Sequence, residues 1–298
     1  MLHLDDDRVR DLLPAPTAQV DLMRGTLLAL ADGSASVTPK SHVSHEENGF
    51  ANAMPAAWPE RGLLGMKWVT ITPSNRAHGK EMIDGLMVLS AADGSTRATM
   101  AAAELTAQRT AAVTGASLAL DDRPITFLGT GVQARSHARA IAALGRGPLT
   151  VWGRRQEALD ELAAWCTENV PDLELRTTTD RTRALDGAGV VISGLPVGLT
   201  GLELAPDEVP ADATLLPLDY GTVAGTEISR TGTVVADDVE QFESIRPLKH
   251  GEDYPRATGA TGDLLRDGRP GGLVVVQNLG SGLGDVVLAD AIARAVGA

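Results

Sequence analysis

The segment PITFLGTGVQARSHARAIAALG, residues Pro124–Gly145, has the most informative pattern in this sequence. It has the pattern of a buried strand at Ile125–Leu128, a glycine turn and a helix. In such a turn Gly129 permits the tight bend and Gly131 lets the backbone approach phosphates, while the helix N-terminus offers unpaired N–H groups. The pattern predicts a dinucleotide-binding unit. A glycine turn in another kind of α/β unit is the alternative.

The second strand, Leu149–Trp152, bears on the choice of cofactor. NAD-specific sites usually place Asp or Glu at its end, where this chain has Gly153 followed by two arginines that can pair with a 2′-phosphate. NADP is therefore favoured and NAD is possible; in the alternative, the arginines are surface charge paired with Glu157 or Asp160. The predicted cofactor-binding residues are Gly129, Thr130, Gly131, Val132, Gln133, Ala134, Gly153, Arg154 and Arg155.

Composition narrows the class of protein. The chain has 298 residues, 43% of them hydrophobic, and a formal net charge of −13, which disfavours nucleic acid and anionic membranes as partners. Its single cysteine, Cys166, leaves no internal disulfide, and His42 and His45 lack a third ligand, so no metal site is expected. The N-terminus has no apolar signal core, which predicts a cytoplasmic protein.

Apolar segments alternate with helical ones through the second half of the chain. This alternation predicts an α/β fold with a doubly wound parallel (Rossmann) sheet. Between Ala35 and Leu89 the pattern favours an antiparallel sheet, and an alanine-rich helix follows from Thr99. The predicted parallel strands lie near Leu128, Val151, Leu175, Val191, Leu216, Val235 and Leu273–Gln277.

Four charged residues are candidates for chemistry. Lys40 ends the segment SVTPK, and Lys67 lies inside the apolar segment LGMKWV, where it is either buried with an anionic partner or turned outward. Arg109 lies among alanines and threonines, with a structural bridge to Glu104 as the alternative. Asp219 follows an apolar strand at its carboxyl end, where catalytic groups of open α/β sheets gather; otherwise it is a cap or turn residue.

Six segments in order resemble the ornithine cyclodeaminase/μ-crystallin family: PKSHVSHEENGFANAMPAAW, GLLGMKWVTITPSN, ELTAQRTAA, FLGTGVQARSH, VADDVEQ and QNLGSGLGD. The resemblance implies a Rossmann domain at 117–279 and an α+β dimerisation domain made from both chain ends, 1–116 and 280–298. It also implies a homodimer with the active site between the domains.

The same resemblance implies roles for the candidates. Lys67 and Arg109 match residues that bind a substrate α-carboxylate, and Lys67 also lies near the reacting nitrogen. Lys40 stands where cyclodeaminases carry arginine and the alanine dehydrogenase branch carries lysine. Asp219 matches the acid/base aspartate, although PLDYGT departs from the usual Gly-Ala-Asp pattern.

The implied activity is an NAD(P)-dependent oxidoreductase acting on the C–N bond of a small amino or imino acid, that is, an imine reductase or amino-acid dehydrogenase. A cyclodeaminase that releases ammonia and recycles its hydride is one alternative. It needs a polar wall for a second amine, for which Glu46, Glu47 and Glu81 are candidates. A non-catalytic, crystallin-like NADP-binding protein is the other.

Overall fold

The structure, a computed structural model, describes residues 1–196 and 199–297. Val197, Gly198 and Ala298, which the predicted domain ranges include, lie outside the described residues. Two separate seven-stranded sheets organise the chain, one from each half. No helix in the described residues is long and apolar enough to cross a membrane.

The N-terminal sheet is mainly antiparallel, with only its first strand pairing in parallel. Its strands are β1 (Leu2–Leu4), β2 (Ser36–Val37), β3 (Ser41–Glu46), β4 (Gly49–Trp58), β5 (Leu63–Ile71), β6 (Ile83–Ser90) and β7 (Thr96–Ala101). Their order is β1-β7-β6-β5-β4-β2, with β3 also paired to β4. The predicted antiparallel sheet is therefore present.

The second sheet is parallel throughout, as the alternation of apolar and helical segments predicts. Its strands are β8 (Ile125–Leu128), β9 (Leu149–Trp152), β10 (Leu175–Thr178), β11 (Val190–Ser193), β12 (Thr214–Pro217), β13 (Thr233–Ala236) and β14 (Val274–Gln277). They run in the order β10-β9-β8-β11-β12-β14-β13. The order reverses beside β8, the strand that leads into the glycine turn, and ligands of open α/β sheets bind at such a reversal.

Ten α-helices are described: α1 (Asp6–Leu12), α2 (Pro16–Ala31), α3 (Ala103–Ser117), α4 (Val132–Ala143), α5 (Gln156–Asn169), α6 (Arg181–Leu185), α7 (Thr226–Ser229), α8 (Val239–Lys249), α9 (Thr261–Asp267) and α10 (Gly282–Ala295). The alanine-rich helix α3 begins at Ala103, not Thr99 as expected. Thr99 pairs with Val88 and Met100 with Met87 in the sheet, so pairing overrides helix propensity there.

The last helix, α10, returns to the first half of the chain and packs on β4 and β5. Its buried face carries Leu283, Val286 and Ile292, which join the core that lies between the N-terminal sheet and helices α2 and α3. Gly282 is required at its start, because a Cβ there would lie 2.4 Å from the Met54 carbonyl oxygen. The chain therefore crosses from β14 of the parallel sheet directly onto the N-terminal sheet, and the candidate site lies at this crossing.

Candidate functional site

The glycine turn has the geometry that a pyrophosphate requires. Gly129 has φ +131°, and a Cβ on it would lie 2.8 Å from the Gly194 carbonyl oxygen, so only glycine fits. At Gly131 a Cβ would meet no atom within 4 Å, which leaves open space above the turn. Gly131 is also the N-cap of α4 and has no side chain to cap the first N–H groups of the helix. These donors and the positive end of the helix dipole face the open space.

The residues around the turn also fit a dinucleotide. Ala134 is buried, as expected for the small residue at which helix and strand pack closely. The Gln133 Oε1 atom is buried without a hydrogen-bond partner among the described residues, and the Val132 side chain is exposed at the open space. A Cβ on Gly153 would lie 2.6 Å from Thr130 Cγ2, so the backbone just past β9 packs directly against the glycine turn.

Arg154 and Arg155 follow Gly153 and are exposed. Neither forms an ion pair or side-chain hydrogen bond within the described chain. The alternative partner Asp160 accepts a hydrogen bond from Gln156 Nε2 at 2.8 Å instead. Both guanidinium groups are therefore available to a ligand bound at the end of β9.

Lys67 faces the interior of the protein. Its side chain is 1% exposed, whereas the neighbouring Trp68 is 40% exposed on the opposite face of β5. The ammonium group donates to Asp285 Oδ1 at 2.9 Å and to Thr106 Oγ1 at 3.2 Å. The apolar neighbours that make Lys67 conspicuous in the sequence thus point away from it, and the lysine has an anionic partner.

Arg109 shares this partner. Its Nε donates to Asp285 Oδ1 at 2.8 Å, and the alternative bridge to Glu104 does not form, since Glu104 accepts from Gln108 Nε2 instead. A Cβ on Gly280 would lie 2.3 Å from Arg109 Nη1, so the guanidinium lies flat against the backbone just past β14. Its two Nη groups make no hydrogen bond within the described residues and remain available as donors.

Lys40 reaches the same place from the turn before β3. Its ammonium group donates to the Leu279 carbonyl oxygen at 2.5 Å. Leu279 and Gly280 in turn donate their backbone N–H groups to the Asp237 carboxylate at 3.1 and 2.8 Å. Asp237 lies just past β13, so Lys40 meets the carboxyl ends of the parallel strands.

Burial and like charge shift the titration of these cations. Burial, with the nearby Arg109 charge, lowers the pKa of Lys67 to about 7, against the opposing effect of Asp285. Burial lowers the pKa of Lys40 to about 8, although Asp237 opposes the shift. Burial alone would raise the pKa of Asp285, but the Arg109 and Lys67 charges outweigh it and keep that carboxyl ionised. Lys67 thus gains or loses a proton near neutral pH.

Asp219 lies at the carboxyl end of β12. Its buried carboxylate accepts from Ser193 Oγ at 2.9 Å and from the Leu195 N–H at 3.1 Å, so it does not cap a helix. Burial raises the pKa of Asp219 to about 7, against these hydrogen bonds. The structure therefore brings Lys40, Lys67 and Arg109 together, whereas the hydrogen bonds of the Asp219 carboxylate stay within the parallel-sheet half of the chain.

Sequence reasoning missed two acids at this site, Asp285 and Asp237. Asp285 lies one helical turn before Leu288 and Ala289, on the buried face of α10, where a carboxylate demands a cationic partner. Asp237 directly follows an apolar strand, as Asp219 does. Both features can be recognised in the sequence, but neither shows which cation the carboxylate contacts.

The remaining candidates lie elsewhere. Glu47 and Glu81 are exposed, and the Glu46 carboxylate accepts from Ser74, so none of the three lies against the cations. Cys166 lies on the buried face of α5 in the core, as a packing residue would. Within the described ranges, no group of three or more His, Cys, Asp or Glu side chains could hold a metal ion.

A family model matches residues 7–197, well over half of the chain, and its description is the ornithine cyclodeaminase/mu-crystallin family. This chain belongs to that family. The resemblance drawn from the six segments is thereby confirmed. The match spans Lys40, Lys67, Arg109 and the glycine turn, but ends before Asp219.

Two curated proteins are similar to this chain. A nodulation efficiency protein of Rhizobium meliloti is 27% identical over 296 residues, which cover 94% of this chain and 90% of that protein. A Δ1-pyrroline-2-carboxylate/Δ1-piperideine-2-carboxylate reductase of Azospirillum brasilense is 31% identical over 150 residues. That second match covers 49% of this chain and 45% of the reductase.

Three solved structures share the whole fold. The Δ1-pyrroline-2-carboxylate reductase of Thermococcus litoralis, in complex with NADH and L-proline, has a TM-score of 0.87 at 18% identity and covers 99% of this chain and 97% of its own. An iminosuccinate reductase of Paracoccus denitrificans with NAD⁺ scores 0.83 at 20% identity, and an archaeal alanine dehydrogenase dimer with NAD scores 0.82 at 20%. Each covers 99% of this chain and 96% of its own, which confirms the two-sheet architecture.

Proposed function

We propose that this chain is an NAD(P)-dependent oxidoreductase acting on the C–N bond of a small 2-amino or 2-imino acid. The observation that carries the proposal is the convergence of Lys40, Lys67 and Arg109 beside the carboxyl ends of the parallel strands. Its relatives support it, since they include reductases of Δ1-pyrroline-2-carboxylate and of iminosuccinate. A cofactor-binding protein without activity would need the glycine turn but not these buried cations.

The substrate carboxylate binds to the cations. The two free Nη groups of Arg109 provide a planar pair of donors that suits a carboxylate, and Lys67 and Lys40 add point charges. Asp285 holds Lys67 and Arg109 in place through its hydrogen bonds to both. Fixing the carboxylate fixes the substrate Cα, and such positioning supplies much of the rate enhancement of a hydride transfer.

The cofactor supplies the hydride. Gly129, Thr130, Gly131, Val132, Gln133 and Ala134 would hold its pyrophosphate at the start of α4. Gly153, Arg154 and Arg155 would surround the adenosine ribose. The unpaired arginines favour NADP, although the related structures contain NADH, NAD⁺ or NAD. Nothing in this arrangement bars NAD, because the arginines are exposed and a 2′-hydroxyl does not clash with them.

The substrate nitrogen must exchange a proton when the C–N bond changes order. Asp219 is proposed as this acid/base group, because its pKa of about 7 lets it hold or release a proton at neutral pH. Lys67, whose pKa is also about 7, is the competing donor, and it lies among the residues that would bind the substrate carboxylate. The two groups can be separated by their effects on the pH profile.

The outer face of the N-terminal sheet supports a homodimer. Trp68 and Leu86 are exposed and pair across β5 and β6, and Leu64 is exposed on the same face. Contiguous exposed apolar surface of this kind marks an interface, and a second copy of the chain offers the same face under two-fold symmetry. Residues 1–116 with 280–298 would be the dimerising unit and 117–279 the cofactor-binding unit. The dimeric state of the archaeal relative agrees with this proposal.

Replacing Lys67 tests the assignment most simply. Lys67→Ala should abolish turnover of imino and amino acids while leaving NAD(P)H binding, followed by cofactor fluorescence, unchanged. The matched control is Lys80→Ala, because Lys80 is an exposed lysine on the loop before β6. Unchanged turnover of Lys67→Ala would refute its role.

A further inference from the structure

Three of the four lysines of this chain lie around the candidate site. Lys40 and Lys67 belong to the carboxylate-binding group, Lys80 is exposed elsewhere, and the remaining one, Lys249, is the last residue of α8. The Lys249 ammonium lies 4.2 Å from the centre of the Phe50 ring and 5.7 Å from that of Tyr220. Phe50 belongs to β4 and Tyr220 follows β12, so Lys249 lies where the two halves of the chain face each other.

No carboxylate of the described chain lies within ion-pair distance of Lys249. Within residues 1–196 and 199–297, its only charge-compensating contacts are the faces of two aromatic rings, which attract a cation but leave its N–H donors unused. The side chain is half-buried, and burial lowers the pKa of Lys249. A partly desolvated ammonium with free donors is suited to bind an anion from solution.

The backbone around Tyr220 is arranged to present this ring. Tyr220 has φ +58°, a left-handed conformation that is unfavourable for a bulky residue, and it directly follows Asp219. The His250 ring packs against it edge-on at 5.8 Å. Strain of this kind persists only where the surroundings fix it, and it is concentrated at functional sites.

Lys249 stands in line with the carboxylate-binding cations. On the inner face of β4, Met54 pairs with Lys67 and Phe50 pairs with Ile71, four residues further along β5. Four residues of strand span roughly 13 Å, and this gap is shortened where the Lys67 side chain extends from β5 at one end and the Lys249 side chain reaches over Phe50 from α8 at the other. Asn52 lies between them on the same face, with its Oδ1 3.0 Å from His42 Nδ1. A short extended molecule can therefore reach from one cationic group towards the other.

The charges at the two ends favour an anion at each. The Lys249 charge is close enough to contribute to the lowered pKa of Lys40, after burial and Arg109. A second carboxylate on the substrate would relieve this repulsion, whereas a second amine would add to it. The glutamates that could receive an amine, Glu46, Glu47 and Glu81, do not contact Lys249.

We propose that Lys249, held over Phe50 and Tyr220, binds a second carboxylate, so that the preferred substrate is a dicarboxylic 2-imino acid. This inference rests on the proposed function. In the reducing direction, hydride from NAD(P)H adds to the imine carbon and a proton adds to its nitrogen, which yields the 2-amino dicarboxylate and NAD(P)⁺. When a 2-oxo dicarboxylate and ammonia are supplied, imine formation first releases water.

The test compares substrates that differ only in the second carboxylate. Oxaloacetate and 2-oxobutyrate, each with ammonia and NADPH or NADH, are assayed with wild type, Lys249→Met, Lys249→Arg and the control Lys80→Met. The methionine keeps the length of the side chain and its packing on Phe50 but removes the charge. We expect Lys249→Met to raise KM for the dicarboxylate about 10- to 100-fold, as loss of a charged hydrogen bond would, with KM for 2-oxobutyrate unchanged. Lys249→Arg keeps the positive charge, so its KM for the dicarboxylate should stay close to that of the wild type.

Binding provides a second readout that does not depend on turnover. Succinate should bind more tightly than butyrate to the protein with NADP⁺ in calorimetry, and Lys249→Met should remove the difference. Two outcomes would overturn the inference and leave the proposed function standing. In one, Lys249→Met raises KM equally for oxaloacetate and 2-oxobutyrate. In the other, the wild type oxidises L-ornithine in preference to L-aspartate. Absence of turnover with every amino and imino acid would instead overturn the proposed function, whatever succinate does.

Discussion

Lys67 and Asp285 form an ion pair in which the two side chains are 1% and 0% exposed, with the ammonium 2.9 Å from the carboxylate. The lysine comes from the middle of a strand in the first half of the chain, and the aspartate from the last helix. Arg109 shares the same carboxylate at 2.8 Å. One acid thus holds two buried cations, and removing it leaves them facing each other.

Asp285→Asn should therefore be destabilising. Breaking a buried ion pair typically costs 3–5 kcal/mol, and we expect a loss near the lower end, about 3 kcal/mol at pH 7, because Lys67 can give up its proton. The unfolded lysine stays protonated up to its ordinary pKa, so the folded variant binds fewer protons than the unfolded chain and its stability rises with pH. Urea unfolding at pH 6 and pH 9 should give the larger loss at pH 6.

The control for this variant is Asp253→Asn, since Asp253 is exposed and lies 3.7 Å from Arg230. Exposed pairs contribute little, so this change should alter the free energy of unfolding by less than about 1 kcal/mol. A loss in Asp285→Asn no greater than in the control would contradict the role given to Asp285.

The pH profile separates the two candidate proton donors. Reduction needs a protonated donor, so kcat should fall above about pH 7, the value to which burial raises the pKa of Asp219. If Asp219 is the donor, Asp219→Asn lowers kcat by about 100-fold or more and removes this limb of the profile. If Lys67 is the donor, the limb persists in Asp219→Asn, and our assignment is wrong. Asp186→Asn, at an exposed acid in the same half of the chain, should leave the profile unchanged.

The two glycines of the turn should respond differently to alanine. Gly131→Ala meets no protein atom, so it should preserve the melting temperature yet weaken NAD(P)H binding, because the new methyl group would occupy the proposed pyrophosphate site. Gly129→Ala should lower the melting temperature, because its positive φ and the Gly194 carbonyl oxygen leave no room for a Cβ. Cofactor titration and thermal unfolding of both variants measure the contrast. Unchanged cofactor binding in Gly131→Ala would place the pyrophosphate elsewhere.

Arg154→Gln/Arg155→Gln tests the cofactor preference. Loss of the charged contacts to a 2′-phosphate should raise KM for NADPH about 10- to 100-fold and leave KM for NADH nearly unchanged. Arg176→Gln, at an exposed arginine paired with Glu174, is the control. Equal KM values for NADPH in all three proteins would show that the arginines do not select the cofactor.

A charged residue placed on the exposed apolar face of the N-terminal sheet should prevent dimer formation. Trp68→Arg should convert the proposed dimer to a monomer in sedimentation experiments, because it would bury an unpaired guanidinium in the interface. Leu248→Arg, at an exposed leucine of α8, should leave the mass unchanged. A monomeric wild type would contradict the proposed dimer.

The sequence predicted the parallel sheet well, because all of its strands except the edge strand β10 (LRTT) are short, mainly apolar runs that are largely buried, such as VVIS at Val190–Ser193. The orientation of Lys67 was not predictable in this way. Alternation in β5 shows only that Lys67 and Trp68 point to opposite faces, and the exposed face here is the one with the tryptophan. The rule that the more apolar face of a strand is the buried one would place Trp68 inside and Lys67 outside, which is the reverse of what the structure shows.

Long-range partners were also beyond the sequence. Asp285 is separated from Lys67 by 218 residues, and nothing local in QNLGSGLGD indicates which cations it meets. At the start of α3 the local sequence gives a wrong prediction. The alanine-rich segment TMAAAEL favours a helix, but Thr99 and Met100 form part of a strand because they pair with β6 and β1. Local propensity gave way to tertiary pairing in this segment.

Oxidoreductase activity can be assayed by following nicotinamide absorbance and ammonia concentration together on the purified protein. The assay supplies amino acids with NADP⁺ or NAD⁺, and 2-oxo acids with ammonia and NAD(P)H. We expect each C–N bond reduced or oxidised to consume one equivalent of cofactor, and Lys67→Ala to abolish both signals. Ammonia release without net change in the cofactor would instead identify a cyclodeaminase. No change in either nicotinamide absorbance or ammonia, in a protein that still binds the cofactor, would contradict the assignment of an oxidoreductase.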